Sequence, residues 1–492
     1  VIASPRRNRS VLLVVAAWIV AIASVISVRA LWSDEALSVR FADLPWAQLC
    51  SIVRRFDPTF AMYYMMLHVW VARGSSDVWD RFLSVLFATL TLPVAFRLAE
   101  RIFDRRVAIA VCGALAVQTP FVHEAAEARP YALMTLGFAV TMTLWYDAST
   151  NDRRYVGVFV AAVATVYAHV MTILGLVALL CASALPPRPA RLVSLRLLIV
   201  GVCVAIATLP LAWLIVHAQT PQDHWQRNPS SLVAAVQLLA ATVSGTIRIL
   251  PLAIALMAIG FVASARTGKH REGTMLMALV IIPIAELALA SFVRPLFVPR
   301  YLAFVSVPEA LLVGRGLVAA YDARAWRYAA VVAAAYLAVV GIASARRLTG
   351  DGYDWGAVAN VIRANVRADD GLALEPAYEF PPLRLALGDR LPGHMIFPRN
   401  DDLPAILESS ERVDAHRARA MPKTFARLWL VRVVRQSTGT LAEPALTVEL
   451  ARAYRLARET RISGDAGDVD VDLYERRPQS IVASPGNASS RA

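Results

Sequence analysis

The chain repeatedly runs past 17 apolar residues with almost no charge to interrupt it. About 20 such residues cross the roughly 30 Å hydrocarbon core of a bilayer, where each backbone N–H and C=O must bond within its own helix. Soluble domains carry about 25% charged residues. Here 18% are charged, 57% are hydrophobic and the mean hydropathy is +0.52. A cytosolic enzyme, a disordered chain and a secreted disulfide scaffold are therefore excluded, and a polytopic membrane protein is predicted. Of the four cysteines, Cys112, Cys181 and Cys203 fall inside apolar runs and Cys50 in a loop. No paired spacing suggests a disulfide framework or a cysteine metal site.

Candidate spans are 11–31, 80–100, 107–123, 130–149, 155–168, 170–185, 197–217, 246–265, 273–293, 301–320 and 328–344. They make eleven transmembrane helices in a membrane domain over 1–344. The first span is too long for a cleaved signal peptide and lacks a small-x-small exit site. Arg6, Arg7 and Arg9 place the N-terminus inside. The inside loops then carry Arg101, Arg105 and Arg106; Arg153 and Arg154; Arg188, Arg191 and Arg196; Arg266, Lys269 and Arg271; and Arg324 and Arg327. Every loop placed inside is basic, as the positive-inside rule requires, so the chain from 345 on is expected outside the cytoplasmic membrane. Of the net charge of +13, +12 falls before residue 345, with the excess in short loops between apolar spans. A nucleic-acid binder would gather it on one soluble face, so the partner expected is the lipid bilayer. Lys269 and Lys423 are the only lysines among 50 basic residues, which suggests a GC-rich bacterial genome.

Three outside segments exceed simple turns. Residues 32–79 form a long first loop, with Leu44–Phe56 and Phe60–Ala72 amphipathic. Residues 218–245 hold Asp223, His224, Trp225 and Arg227, then an apolar stretch, 231–245, expected to lie in the interface. In the tail, charge rises to about 28%, close to soluble composition. Asp354–Val366 reads as a helix, Leu428–Val434 as a buried strand, Leu441–Arg458 as a helix and Val469–Tyr474 as an edge strand. An extracytoplasmic α/β domain over 345–478 follows, with 479–492 a disordered tail.

Charge inside a bilayer costs about 2.5–3.5 kcal/mol per residue at a helix centre. Glu286 and Glu309 lie within spans. A buried carboxyl bonded to a neighbouring helix is the structural account of each, and a proton path is the functional one. The richer signal is a ring of polar residues at the outer face. Asp34 and Glu35 follow the first span. Asp57, Tyr63, Tyr64 and His68 share its loop, and Arg81 opens the second span. His123, Glu124, Glu127, Arg129 and Tyr131 sit between the third and fourth, His169 after the fifth, and Arg294, Arg300 and Tyr301 before or at the start of the tenth. Carboxylates can deprotonate an incoming hydroxyl. Arginines can hold a phosphate leaving group through bidentate charged hydrogen bonds. Such a site would suit transfer from a lipid phosphate, and no P-loop or GxGxxG after a strand offers a soluble nucleotide site.

Together these residues resemble the GT-C glycosyltransferases that use polyprenyl-phosphate sugars, particularly the protein O-mannosyltransferase and aminoarabinose-transferase branch and its bacterial mannosyltransferases. The resembling elements are Asp34-Glu35, Asp57, Tyr63-Tyr64, His68-x-Trp70, Arg81-x-x-Ser84, Glu127-Ala-Arg129-Pro-Tyr131, His169, Arg300-Tyr301 and Asp354-Trp355. The resemblance implies a membrane glycosyltransferase with Asp34 as catalytic base and Glu35 beside it organising the acceptor or a cation. It implies substrate contacts from Asp57, Tyr63, Tyr64, His68, Arg81, Glu127, Arg129, Tyr131, His169, Arg300 and Tyr301. The donor would carry mannose or arabinofuranose, and the acceptor would be a hydroxyl of a cell-envelope glycan, glycolipid or protein. A divalent metal ion at the acidic cluster stays open. Family members often carry a His-Pro-Pro or His-Gly stretch before the tyrosine pair. Here Pro58–Met62 lacks that histidine. The alternative is a transporter or flippase of a lipid-linked sugar, although no internal repeat is evident and most polar residues lie at the outer edge.

Overall fold

The computed structural model describes residues 30–74, 76–186, 191–219, 231–323, 353–388, 391–398, 415–420, 424–434, 445–464 and 467–477, with Trp18, Ile19, Ile22, Ile26, Pro229 and Ile342. Most of the expected spans 11–31 and 328–344, the segment Asp223–Arg227 and the tail 479–492 lie outside the described residues. The chain divides into two compact units, residues 1–351 and 352–492.

The first unit is helical. After the first expected span come α1 (Ser33–Ala42), α2 (Trp46–Arg55), a 3-10 turn at Pro58–Phe60 and α3 (Ala61–Val71). Then follow α4 (Asp77–Ile102), α5 (Arg105–Val117), α6 (Thr119–Ala125), α7 (Tyr131–Asn151), α8 (Tyr155–Ala168), α9 (Thr172–Ala184) and α10 (Arg191–Val216). The unit continues with α11 (Leu232–Val243), α12 (Leu250–Arg266), α13 (His270–Val293), a 3-10 segment at Pro299–Val305 and α14 (Ser306–Asp322). Among the described residues, four helical stretches are long and apolar enough to cross a bilayer: Asp77–Ile102, Leu192–Val216, His270–Val293 and Pro299–Asp322. The bent pair α5–α6 makes a fifth if counted as one span.

The expected span 107–123 is therefore not one straight helix. It bends by 61° where Gln118 turns extended (ψ 122°) and Pro120 enters the first turn of α6. Proline cannot donate to the preceding turn, so the break falls there. The kink carries α6, with His123 and Glu124, towards the loop that holds Arg129.

Small residues let the bundle close. A Cβ on Gly260 would lie 2.1 Å from the Leu312 carbonyl oxygen, and one on Gly316 would lie 2.1 Å from that of Leu256. The backbones of α12 and α14 touch here, as glycines allow between membrane helices. At the basic ends, aspartates from neighbouring helices meet the loop arginines. Asp147 takes Arg101 (2.8 Å) and Arg154 (3.1 Å), Asp322 takes Arg106 (2.8 Å), and Asp152 takes Arg196. Trp70 and Trp79 stack at 4.5 Å, and each indole N–H donates to the other residue's carbonyl. That pair locks α3 onto the start of α4.

The second unit holds α15 (Trp355–Asn365), β1 (Gly371–Glu375), α16 (Phe380–Leu387), β2 (His394–Phe397), α17 (Ala415–Ala420), β3 (Arg427–Val434), α18 (Ala445–Ala453), β4 (Tyr454–Arg458), β5 (Arg461–Gly464) and β6 (Gly467–Arg476). The sheet order is β2-β1-β3-β6-β4, with β5 also on β6. β1 runs parallel to β2 and β3, and β6 antiparallel to its partners. One face packs Trp355, Ile362, Phe380 and Leu383 on Leu374, Trp429 and Val471. The other packs Ala418, Leu446 and Leu450 on Leu428, Leu430 and Tyr474.

Two expectations are corrected here. The helix expected over 441–458 ends at Ala453, and Tyr454–Arg458 is a strand, anchored by the buried Tyr454 whose hydroxyl donates to the Phe425 carbonyl. The strand around Val469–Tyr474 is not an edge, because β6 lies between β3 and β4. Its alternating aspartates suggest a wet face, yet Asp470 and Asp472 are buried against Arg432 (3.1 and 3.7 Å) and Arg461 (2.7 Å to Asp470). Opposite charges stand in for apolar packing across the strands.

Replacing Gly316 with Val is expected to push α12 and α14 apart and cost ~1–3 kcal/mol. Size-exclusion chromatography after a heating series would show earlier loss of the folded peak. Gly113→Ala, where nothing lies within 4 Å of the added Cβ, is the control expected to leave it in place.

Candidate active site

The site is built on the first turn of α1. Glu35, three residues into the cap, reaches back to the Trp32 N–H (3.3 Å), and Asp34 beside it also sits in the turn where helix N-termini favour negative charge. Adjacent helical residues point about 100° apart, so the two carboxylates go different ways. Glu35 turns inward. It is fully buried and forms a bidentate pair with Arg81 of α4, Nε to Oε1 at 2.8 Å and Nη2 to Oε2 at 2.6 Å. Its Oε1 also accepts the Ala128 N–H (2.8 Å), and Arg81 donates onward to the Ile26 and Ala30 carbonyls.

Neither side chain is exposed, and each spends its charge on the other. Glu35 and Arg81 fix α1, α4 and the Ala128–Arg129 turn to one another.

Asp34 turns outward, with its side chain 32% exposed. Its Oδ2 lies 3.0 Å from Arg300 Nη2 and 3.6 Å from Arg129 Nη2. Arg129 donates as well to the Asp34 carbonyl (3.2 Å) and to Ser38 Oγ (2.9 Å), and Ser38 donates in turn to that carbonyl (2.8 Å). Ser84 holds the Arg129 carbonyl (3.2 Å). Burial works to lower the Arg129 pKa, yet Asp34 and the neighbouring acids hold it well above the usual value. Three segments distant in sequence thus meet at one carboxylate.

Aromatic faces carry both guanidinium groups. Arg300 lies over Trp32 (5.3 Å) and Tyr131 (5.9 Å), and Arg129 over Phe60 (5.0 Å) and Tyr131 (5.9 Å). Asp57 joins this layer through Tyr64, whose ring packs on Phe60. Thr59 donates to Oδ1 and the Tyr64 hydroxyl to Oδ2 (2.7 Å), while burial pushes the Asp57 carboxyl pKa up. Tyr63 and Tyr64 are buried, and Tyr64 packs on Phe41 and Phe60. His169, in the turn between α8 and α9, packs on Phe60 (4.9 Å), Tyr131 (5.3 Å) and Tyr301 (5.7 Å). Glu127 pairs with His123 (3.2 Å).

Asp34, Arg129, Arg300, Tyr131, Tyr301 and His169 are thus gathered in one cluster, joined through Phe60 to Asp57 and Tyr64. His68 is engaged elsewhere: its Nδ1 lies 2.7 Å from the Ala42 carbonyl oxygen and its ring packs on Trp46. Sequence reasoning passed over Trp32, Ser38, Thr59 and Phe60. Ser38 was findable as the helical i+4 neighbour of Asp34; the others become visible only through tertiary contact.

The acidic cluster does not fit a divalent ion. Asp34 faces two cations and the Glu35 carboxylate is taken by Arg81. Among the described residues no three His, Cys, Asp or Glu come together to hold a metal.

No family model matches this sequence, and no curated protein matches it. Solved structures do. ArnT from Cupriavidus metallidurans in the apo state superposes with a TM-score of 0.61 at 15% identity, over 94% of this chain and 97% of that one. The same protein bound to undecaprenyl phosphate gives 0.57 at 16% identity, over 94% and 98%. The oligosaccharyltransferase AglB from Archaeoglobus fulgidus, in complex with an inhibitory peptide and a dolichol-phosphate, gives 0.50 at 11% identity, over 98% and 76%.

Glu35→Ala would leave the Arg81 cation buried without its partner. The expected loss is ~3–5 kcal/mol of stability, read as a lower melting temperature in detergent. Asp34→Asn, at a partly exposed position, should melt close to the unaltered protein.

With the helical unit and the mixed α/β unit described, the chain has the fold seen in the ArnT and AglB structures.

Proposed function

We propose that this protein is an integral membrane glycosyltransferase that moves a sugar from a polyprenyl-phosphate donor to a hydroxyl acceptor on the outer face of the cytoplasmic membrane. The observation that supports it most is the Asp34 carboxylate held between Arg300 and Arg129 while a third of its side chain stays exposed. The two guanidinium groups converge on one part-exposed carboxylate and concentrate positive charge where a lipid phosphate would dock.

In this reading the donor phosphodiester, with one negative charge, takes Arg129 and Arg300 over from Asp34. The freed carboxylate accepts the proton of the acceptor hydroxyl. The hydroxyl oxygen forms a bond to the anomeric carbon as the bond from that carbon to the phosphate oxygen breaks, and the configuration inverts. Both electrons of the broken bond stay on the phosphate, which leaves as a monoester of greater negative charge. The two arginines bind this charge more strongly as it develops, which is the condition for lowering a barrier rather than merely binding substrate. Rings beneath them keep water away and strengthen the attraction.

The finer parts of the proposal are eleven crossings with the N-terminus inside and the 352–492 unit outside, a donor sugar of mannose or arabinofuranose, and an acceptor on a cell-envelope glycan, glycolipid or protein. The arginine alternation in the loops supports the orientation. ArnT bound to undecaprenyl phosphate and AglB with a dolichol-phosphate support a polyprenyl phosphate as the carrier.

Purified protein incubated with polyprenyl-phosphate mannose or arabinofuranose and an envelope acceptor should release polyprenyl phosphate. Asp34→Asn should lower that release by ~100-fold or more while binding of the lipid persists. Undiminished release from Asp34→Asn would remove the base assignment. Movement of the lipid-linked sugar across vesicles with no transfer would replace the enzyme with a flippase.

A further inference from the structure

The turn at His169 is complete without most of its side chain. Its backbone N–H donates to the Thr165 carbonyl (3.1 Å), and its carbonyl accepts both the Thr172 N–H (3.1 Å) and the Thr172 hydroxyl (2.8 Å). The imidazole Nδ1 accepts the Met171 N–H (3.2 Å), so the ring proton lies on Nε2. The ring is neutral, because burial, helped by Arg129 and Arg300, pushes its pKa down to about 3.

Nε2 is buried and has no hydrogen-bond partner among the described residues, although the side chain is 1% exposed. The Tyr131 hydroxyl, on the ring 5.3 Å away, is likewise buried and unpartnered. An unmet buried donor costs about 1–3 kcal/mol, so two carried by rings in contact call for an occupant. That occupant is not the charged group, for which Arg129 and Arg300 stand ready. Neutral donors set among the faces of Phe60 and Tyr301 suit a polar but uncharged ligand, with hydroxyls for the donors and C–H faces for the rings.

We infer that His169 and Tyr131 bind a hydroxyl of the sugar that the lipid phosphate carries, next to the two guanidinium groups that lie over the Tyr131 ring. The assignment rests on the proposed function and names a further part of the same site. His169 Nε2–H donates to the sugar oxygen. The Tyr131 hydroxyl can both donate and accept there, so one sugar hydroxyl satisfies both.

The test uses the full-length protein in lipid nanodiscs and measures affinity for three probes: bare undecaprenyl phosphate, and the same lipid carrying mannose or arabinofuranose. His169→Phe keeps a ring in the aromatic layer and removes the donor. It should weaken the tighter-binding sugar lipid by ~10-fold and leave the bare lipid unchanged. Tyr131→Phe, which removes one hydroxyl, should act in the same selective way, and His169→Asn, which retains an N–H, should recover part of the loss. Equal weakening of bare and sugar-bearing lipids would overturn the inference and assign the pair to the phosphate. No change in either would overturn it in favour of a bound water. Failure of the unaltered protein to bind any of the three would overturn the proposed function itself, a result distinct from the other two.

Discussion

The Glu35–Arg81 pair is the constraint on which the rest of the site depends. Both side chains are wholly out of water, and an ion pair so placed gains little net stability over an apolar contact. Its value here is positional. Arg81 reaches carbonyls at the end of the first expected span, Glu35 caps α1, and the same carboxylate takes the Ala128 N–H next to Arg129. A carboxylate and guanidinium with fixed fork geometry permit one arrangement of three segments. Asp34 and Arg129 are one residue away from the atoms so fixed, and their approach follows from it.

Around that frame, charge and aromatic surface are layered. Asp34 has two cations and each cation has two rings beneath it. An aromatic face adds its own attraction to a guanidinium, so the rings help to hold both cations at the Asp34 carboxylate. The paired arginines Arg101, Arg106, Arg154 and Arg196 behave differently. Each meets an aspartate near a helix end, and although Arg106 lies over Tyr321 and Arg196 over Tyr155, neither shares its carboxylate with a second cation over a common ring. Same residue type, same charge, different work: the neighbours decide.

Much of this was legible in the chain. The apolar runs demanded helices because a bilayer offers no backbone partners, and Asp34, Arg129, Arg300, Tyr131 and His169 were picked out by type and by their place beside the runs. Less legible was the split between Asp34 and Glu35. Two adjacent acids look alike in sequence, and only the 100° turn between them sends one inside and one out. The aspartates of β6 misled in the opposite direction. Alternation with valine reads as a wet edge, and what makes them interior is Arg432 and Arg461 arriving from other strands.

The sequence by itself determined that this protein lives in a membrane, roughly where its helices run, and which polar residues stand at their ends. These follow from hydropathy and short-range pattern, which act along the chain. Tertiary structure alone decided which of those polar residues touch. Arg300 is 266 positions from Asp34, and no local preference carries information over that distance. Their meeting depends on how bent and tightly packed helices close around buried partners, as at the α5–α6 kink and the Gly260–Gly316 contact. Side-chain volume and ion-pair geometry in three dimensions set that closure, and they leave no periodic trace in one.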